Sequence, residues 1–255
     1  MRSTLRVGIA GFGLAGRIFH APLLMTTPGY RIDAVASTRP DAVHEFLPDV
    51  RVVAAAQDLI DDPALDMVVI ATPNAQHAPL AEAALRAGKH VVVDKPFTVD
   101  LAEADRLVLL AATASPVLSV FHNRRWDGDM LTVASVIASG RLGRVVHVES
   151  HFDRFRPQVG EAWRELALPG SGVWFDLGSH LLDQALQLFG RPTWLSADLA
   201  AMRDGALIDD YFTCTLGYDR LRVVLHATTL AAEPAPRWTV HGTEGTLTIA
   251  GLDPQ

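Results

Sequence analysis

Leu5-Arg6-Val7-Gly8-Ile9-Ala10-Gly11-Phe12-Gly13-Leu14-Ala15-Gly16 places an apolar, strand-forming run directly before a G-x-G-x-x-G loop. The run breaks into glycine too soon for a secretory signal and reads as a buried strand. In the loop, Gly11 permits a tight turn, Gly13 lets backbone approach a pyrophosphate, and Gly16 allows the next helix to pack closely on the strand. The helix N-terminus then faces the phosphate charge. Such a hexad also marks plain turns. Its place at the first strand–helix junction of an alternating chain favours a bound dinucleotide, contacted through Gly11, Phe12, Gly13, Leu14 and Ala15.

Working outward, further strand-like runs fall at Ile32–Ala36, Met67–Ala71, His90–Val93 and Val117–Val120, with a weaker one at Val52–Ala54. Helical stretches lie between them, most clearly Ala75–Ala87 and Val99–Ala112. Continuous apolar strands separated by helices predict an α/β unit whose parallel sheet is covered on both faces. After residue 120 the rhythm changes. A helix is predicted at Trp126–Ser139, a strand at Arg144–His151, and a helix at Val173–Phe189 behind the loop Gly170–Gly172. Alternating runs at Trp194–Ala200, Tyr211–Gly217, Leu221–Thr229 and Trp238–His241 predict a largely antiparallel sheet. Tyr218-Asp219-Arg220 and Gly242-Thr243-Glu244-Gly245 read as hairpin connections. The expected division is a dinucleotide-binding domain over 1–121 and an α+β domain over 122–255.

The chain of 255 residues has a net charge of −7, which argues against nucleic acid or an anionic membrane as the main partner. Its one cysteine, Cys214, allows no internal disulfide and fits a reducing cytoplasm. No apolar run is long enough to span a bilayer.

Cofactor choice turns on the end of the second strand, where an NAD enzyme usually carries Asp or Glu for the ribose hydroxyls. Asp33 comes too early. Ser37, Thr38 and Arg39 stand at that end instead, and two hydroxyls with an arginine suit a 2′-phosphate. Arg39 in a polar turn before Pro40 is the plainer reading. The donor chemistry predicts NADP, with NAD as the alternative.

Three stretches beyond the glycine loop carry a family resemblance: Ala71-Thr72-Pro73-Asn74-Ala75-Gln76-His77, Ala87-Gly88-Lys89-His90-Val91-Val92-Val93-Asp94-Lys95-Pro96 and Asp176-Leu177-Gly178-Ser179-His180. In order and spacing they resemble the Gfo/Idh/MocA oxidoreductases, dehydrogenases of sugars and cyclitols. Phe121–Asp129 and Gly170–Asp176 are most similar to the scyllo-inositol dehydrogenase-like, NADP-using branch. The resemblance implies a Rossmann domain followed by an α+β domain with a largely antiparallel sheet. It also implies a catalytic Lys95 behind a cis bond to Pro96, although Asp94 replaces the family's glutamate in that motif. Alone, Lys95 reads as a loop surface lysine.

Asp176 and His180 are four apart and share a helix face. By spacing alone they read first as a common surface pair; the resemblance makes Lys95, Asp176 and His180 a catalytic triad. It also assigns Thr72, Pro73, Asn74, His77, Asp94, Lys95 and Asn123 to the cofactor. Arg124, Trp126, Arg154 and Trp163 are candidates for a polyol pocket, with His122 and Arg125 beside them. His147 and His151 share a strand face, but without an acidic set or cysteine nearby no metal is expected. The expected activity is reversible hydride transfer between NADP and a secondary hydroxyl of a cyclitol or sugar. A homodimer or homotetramer through the second sheet is expected, with no nucleic-acid or membrane partner. Family members continue well past the stretch Gly251–Gln255, so the second sheet reads as truncated. That keeps open a cofactor-binding protein with impaired catalysis.

Overall fold

The computed structural model describes residues 4–113, 115–160 and 165–251. The chain divides into two compact units, Met1–Phe121 and His122–Gln255. The first carries β1 (Leu5–Ala10), α1 (Ala21–Thr26), β2 (Tyr30–Ala36), α2 (Pro40–His44), β3 (Arg51–Val53) and α3 (Ala56–Ile60). It continues with β4 (Met67–Ile70), α4 (His77–Arg86), β5 (His90–Asp94), α5 (Leu101–Thr113) and β6 (Leu118–Phe121). All six strands run parallel in the order β3-β2-β1-β4-β5-β6. This is the strand order of a dinucleotide-binding Rossmann sheet.

The composition of these strands follows from burial on both faces. β4 is Met-Val-Val-Ile with every residue buried, and β1 is buried from Val7 to Ala10. One face is covered by α3, α4 and α5 through Leu59, Ala78, Ala81, Leu85 and Leu107. The other packs Val7, Ile9 and Val69 against Phe12, Ala21 and Val43. Each such aliphatic side chain, fully buried, contributes about 1.5–3 kcal/mol. Small Ala residues facing the sheet on α4 let that helix approach closely.

The second unit comprises α6 (Gly128–Ala138), β7 (Val145–His151), α7 (Ser179–Phe189), β8 (Trp194–Ala200), β9 (Tyr211–Gly217), β10 (Arg222–Thr228), β11 (Trp238–Gly242) and β12 (Thr246–Ile249). Its sheet has the order β12-β11-β7-β10-β9-β8. Every pair is antiparallel except β7–β10, which is parallel. One face packs Val148, Phe152, Phe212, Leu216 and Val240 against Met130 and Val133 of α6 and Leu181 and Ala185 of α7. The helix expected over Val173–Phe189 is two pieces: Trp174–Gly178 winds as a π-helix before α7 begins. A π-helical segment, Ala15–His20, likewise precedes α1. Such segments recur at functional positions in other proteins.

α7 is tied into this unit by a buried polar network. Arg237, 1% exposed, lies 3.0 Å from Asp129 and donates to Gln184 Oε1 at 2.7 Å and to Ser150. Its guanidinium stacks over Phe152 at 4.0 Å. Burial pushes its pKa down to about 10, against the opposing pull of Asp129. Removing one partner of a buried ion pair strands the other, at a cost of about 3–5 kcal/mol. Asp129→Ala is therefore expected to destabilise the protein by that order in urea unfolding; a change under ~1 kcal/mol would contradict the network's role. Among the described residues, no helix is long and apolar enough to cross a membrane.

Candidate functional site

The first sheet reverses its winding between β1 and β4, and the loops leaving these two strands flank a crevice at their carboxyl ends. Ligands of open α/β sheets occupy this position. Gly11 adopts φ +94°, and a Cβ there would stand 2.5 Å from Ala71 O. A Cβ on Gly16 would meet Gly11 O at 2.2 Å, whereas one on Gly13 would meet nothing within 4 Å. The three glycines thus divide their work into turn, open approach and close packing. Phe12 turns its ring into the core, 6.2 Å from Phe46, so only its backbone faces the loop. Leu14 is exposed and Ala15 half-buried. A backbone cradle with room above Gly13 fits the pyrophosphate of a nicotinamide dinucleotide.

Midway along β2, Asp33 is paired with two arginines. Arg31, with Arg6, holds its carboxyl below the usual range, at 2.6 and 2.5 Å. Ser37, Thr38 and Arg39 follow the strand; the Arg39 N–H donates to Ser37 Oγ at 3.1 Å, and the Arg39 side chain is exposed.

The loop after β4 begins at Thr72-Pro73 and enters a short 3-10 turn, Asn74–Gln76, with Asn74 buried. His77 is 1% exposed, with Nδ1 2.7 Å from Pro96 O and Nε2 3.0 Å from Thr72 O. It clamps the β4 loop to the Lys95-Pro96 loop. The Lys95–Pro96 peptide is cis, as the resemblance implied, and Lys95 is half-buried at the carboxyl end of β5. Asp94 accepts the Lys95 N–H at 2.7 Å and lies 3.6 Å from buried His20, whose ring packs on Phe121 at 4.2 Å. His20 escaped the sequence reading, having no motif around it.

In the second unit, Asn123–Trp126 forms a 3-10 turn. Arg125 grips Asp183 of α7 with two bonds of 2.7 and 2.6 Å, which raise its pKa. Gln184 Nε2 donates to Arg124 O at 2.8 Å, and Arg124 itself pairs with Asp127 at 2.8 Å. His122 Nδ1 lies 3.9 Å from Asp183. Trp126, a candidate for the polyol pocket, is 76% exposed. Trp163 lies outside the described residues.

Asp176 sits in the π-helical turn and His180 in the first turn of α7, where it is buried at 5% exposure. Gln184, one turn further along α7, anchors this helix through Arg237 and Arg124. Asp176 borders a cleft of about 90 Å³ together with Arg154, Arg203, Asp209 and Thr228. Asp209 accepts the Trp174 N–H at 2.7 Å, and burial raises its carboxyl above the usual range. Arg203 is fixed by Asp210 at 2.8 Å and Glu165 at 2.7 Å. The like charge of neighbouring Asp210 pushes the Asp209 carboxyl in the same upward direction. Asp209, Arg203 and Thr228 reach this cleft from scattered positions and were not legible in the sequence.

Residues 5–122 match an oxidoreductase family with an NAD-binding Rossmann fold, and residues 130–248 match the GFO/IDH/MocA C-terminal domain. The chain belongs to the Gfo/Idh/MocA oxidoreductase family. Within it, the chain is 52% identical over its whole length to the oxidoreductase YdgJ of Escherichia coli, covering 74% of that protein. Over 99% of its length it is 38% identical to the scyllo-inositol 2-dehydrogenase (NADP(+)) IolW of Bacillus subtilis, covering 70% of that protein. Among solved structures, the YPO2259 protein of Yersinia pestis shares 51% identity with a TM-score of 0.94, over 100% of this chain and 72% of that one. As an oxidoreductase of this family, the chain carries a cradle that fits the cofactor on its own geometry.

Proposed function

We propose that the protein is an NADP-dependent dehydrogenase that interconverts a secondary hydroxyl and a ketone on a cyclitol or sugar. The observation that carries the reading is the π-helical turn and α7, holding Asp176 and His180 in succession and fastened by buried polar contacts, with Asp176 at a cleft that mixes arginines and threonines with Glu165, Asp209 and Asp210. The relative named as an NADP(+) scyllo-inositol dehydrogenase supports a cyclitol over other alcohols. The end of β2 supports NADP over NAD, because Asp33 is committed to two arginines and Arg39 is exposed.

Gly11, Phe12, Gly13, Leu14 and Ala15 hold the pyrophosphate through backbone, and Ser37, Thr38 and Arg39 receive the 2′-phosphate. Thr72, Pro73, Asn74, Asp94 and Asn123 flank the rest of the cofactor, with His77 fixing the loop. The bound nicotinamide supplies the hydride acceptor. His180 takes the hydroxyl proton as the C–H bond breaks, and Lys95 stabilises negative charge on that oxygen. Asp176 orients the imidazole or a neighbouring hydroxyl, while Arg124, Trp126, Arg154 and Trp163 contact the polyol. The first unit is then the NADP-binding domain, and the second the substrate-binding and oligomerisation domain. A homodimer or homotetramer forms through the sheet face left bare by α6 and α7. A cytoplasmic setting suits Cys214, which is buried and free.

Titrating NADP and NAD into the protein, then assaying NADPH formation over a panel of cyclitols and sugars, tests the reading. Tight NADP binding with turnover of a cyclitol is expected. NADP binding without turnover would support the cofactor-holding alternative, and failure to bind NADP would overturn both.

A further inference from the structure

The face of the second sheet opposite its helices carries a cluster that hydride transfer does not use. His147, Glu149 and His151 alternate along β7, facing away from buried Val148, Ser150 and Phe152. β10 runs parallel beside it, with His226 in register with His151. Just past β7 comes Asp153, whose side chain is 5% exposed. His151 Nδ1 lies 3.4 Å from one Asp153 oxygen and His226 Nε2 3.5 Å from the other. The ligand atoms of all three residues lie within 4.8 Å of one another.

These separations are long for hydrogen bonds, and neither His151 Nδ1 nor Asp153 Oδ1 has a hydrogen-bond partner. The His151–Asp153 separation compares with one edge of a tetrahedral zinc site, where two ligands each about 2.0–2.1 Å from the ion stand ~3.3–3.4 Å apart. The three ligand atoms lie close enough together to converge on one ion. The outer nitrogens are also held. His151 Nε2 is 3.3 Å from Glu149 Oε2. His226 Nδ1 is 2.8 Å from Thr213 Oγ1, which in turn meets Tyr211 Oη at 3.0 Å. Metal-bound histidines almost always carry such partners on the second ring nitrogen.

We propose that His151, Asp153 and His226 bind one divalent transition-metal ion, with zinc the simplest fit, through two imidazole nitrogens and one carboxylate oxygen. Water completes the coordination. The ion links β7 to β10 and fixes the chain leading into Arg154, which borders the cleft beside Asp176. The expectation of no metal rested on the lack of an acidic partner for His147 and His151. Glu149 and Asp153 supply that partner, and His226 arrives from a distant strand through sheet pairing.

The test is calorimetric titration of zinc into metal-stripped protein, paired with thermal melting. One zinc per chain at micromolar affinity is expected, with a raised melting midpoint because the ion binds only the folded site. Asp153→Asn and His226→Gln should each weaken zinc at least ~100-fold, beyond the loss typical of outer-shell changes, while their stripped forms melt near the parent. His147→Ala should keep the ion. Zinc binding that survives both ligand substitutions would overturn the proposal. So would a lack of binding with no shift in melting, which leaves a plain His–Asp–His ion-pair network.

Discussion

On the proposed mechanism, Lys95→Met is expected to lower kcat for polyol oxidation by about 10²–10⁴-fold, the usual weight of a positioned proton-handling group, while NADP binds within a few-fold of the parent. Methionine keeps the length of the stem and removes the donor. Lys95 stands at the carboxyl end of β5 with its backbone N–H held by Asp94, so the substitution leaves the loop's anchors in place. His180→Asn falls in the same range. If, as proposed, the two groups serve one step, the double variant is expected to be little worse than the poorer single one. Steady-state kinetics beside a cofactor titration measures both quantities. An unchanged kcat for Lys95→Met would remove it from the chemistry and return it to the surface loop that its sequence alone suggests.

The second large effect concerns cofactor choice. Arg39→Ala combined with Ser37→Asp is expected to cut NADP affinity about 10–100-fold, the loss of charge-assisted contacts to a phosphate plus the entry of a like charge. NAD affinity should hold or rise, because the new carboxylate can accept from the ribose hydroxyls. Asp33 lies midway along β2, before the strand's end, and is already paired with Arg31 and Arg6. The ratio of kcat/KM for the two cofactors reads the switch. A ratio that does not move would show that the 2′-phosphate is read elsewhere.

The first unit was the more legible half. Strands covered on both faces must be apolar throughout, so β1 and β4 declare themselves, and the glycine hexad fixes which junction comes first. β1, β8 and β9 match their expected limits, since each is bounded by glycine, proline or a charged turn. The helices α2 and α3 are five residues each, too short to show a helical period. The parallel pairing of β7 with β10 inside an otherwise antiparallel sheet has no local signature. Nor have the π-helical turns at Ala15–His20 and Trp174–Gly178.

The candidate site divides in the same way. Residues carried by short motifs could be singled out in advance: Gly11, Gly13, Lys95, Asp176 and His180. The groups that hold them could not, because their partners are remote in sequence. Asp183 meets Arg125, Gln184 meets both Arg124 and Arg237, and His20 meets Asp94. His77 shows the limit of motif reading. It was assigned to the cofactor, and its ring is buried between two backbone carbonyls.

The most direct test of the proposed chemistry uses scyllo-inositol carrying deuterium on its carbinol carbons, incubated with the protein and NADP. Direct transfer predicts NADPH bearing one deuterium at nicotinamide C4 by mass spectrometry, formed more slowly than from the unlabelled cyclitol. NADPH without deuterium, or no NADPH from any cyclitol despite bound cofactor, would contradict the account.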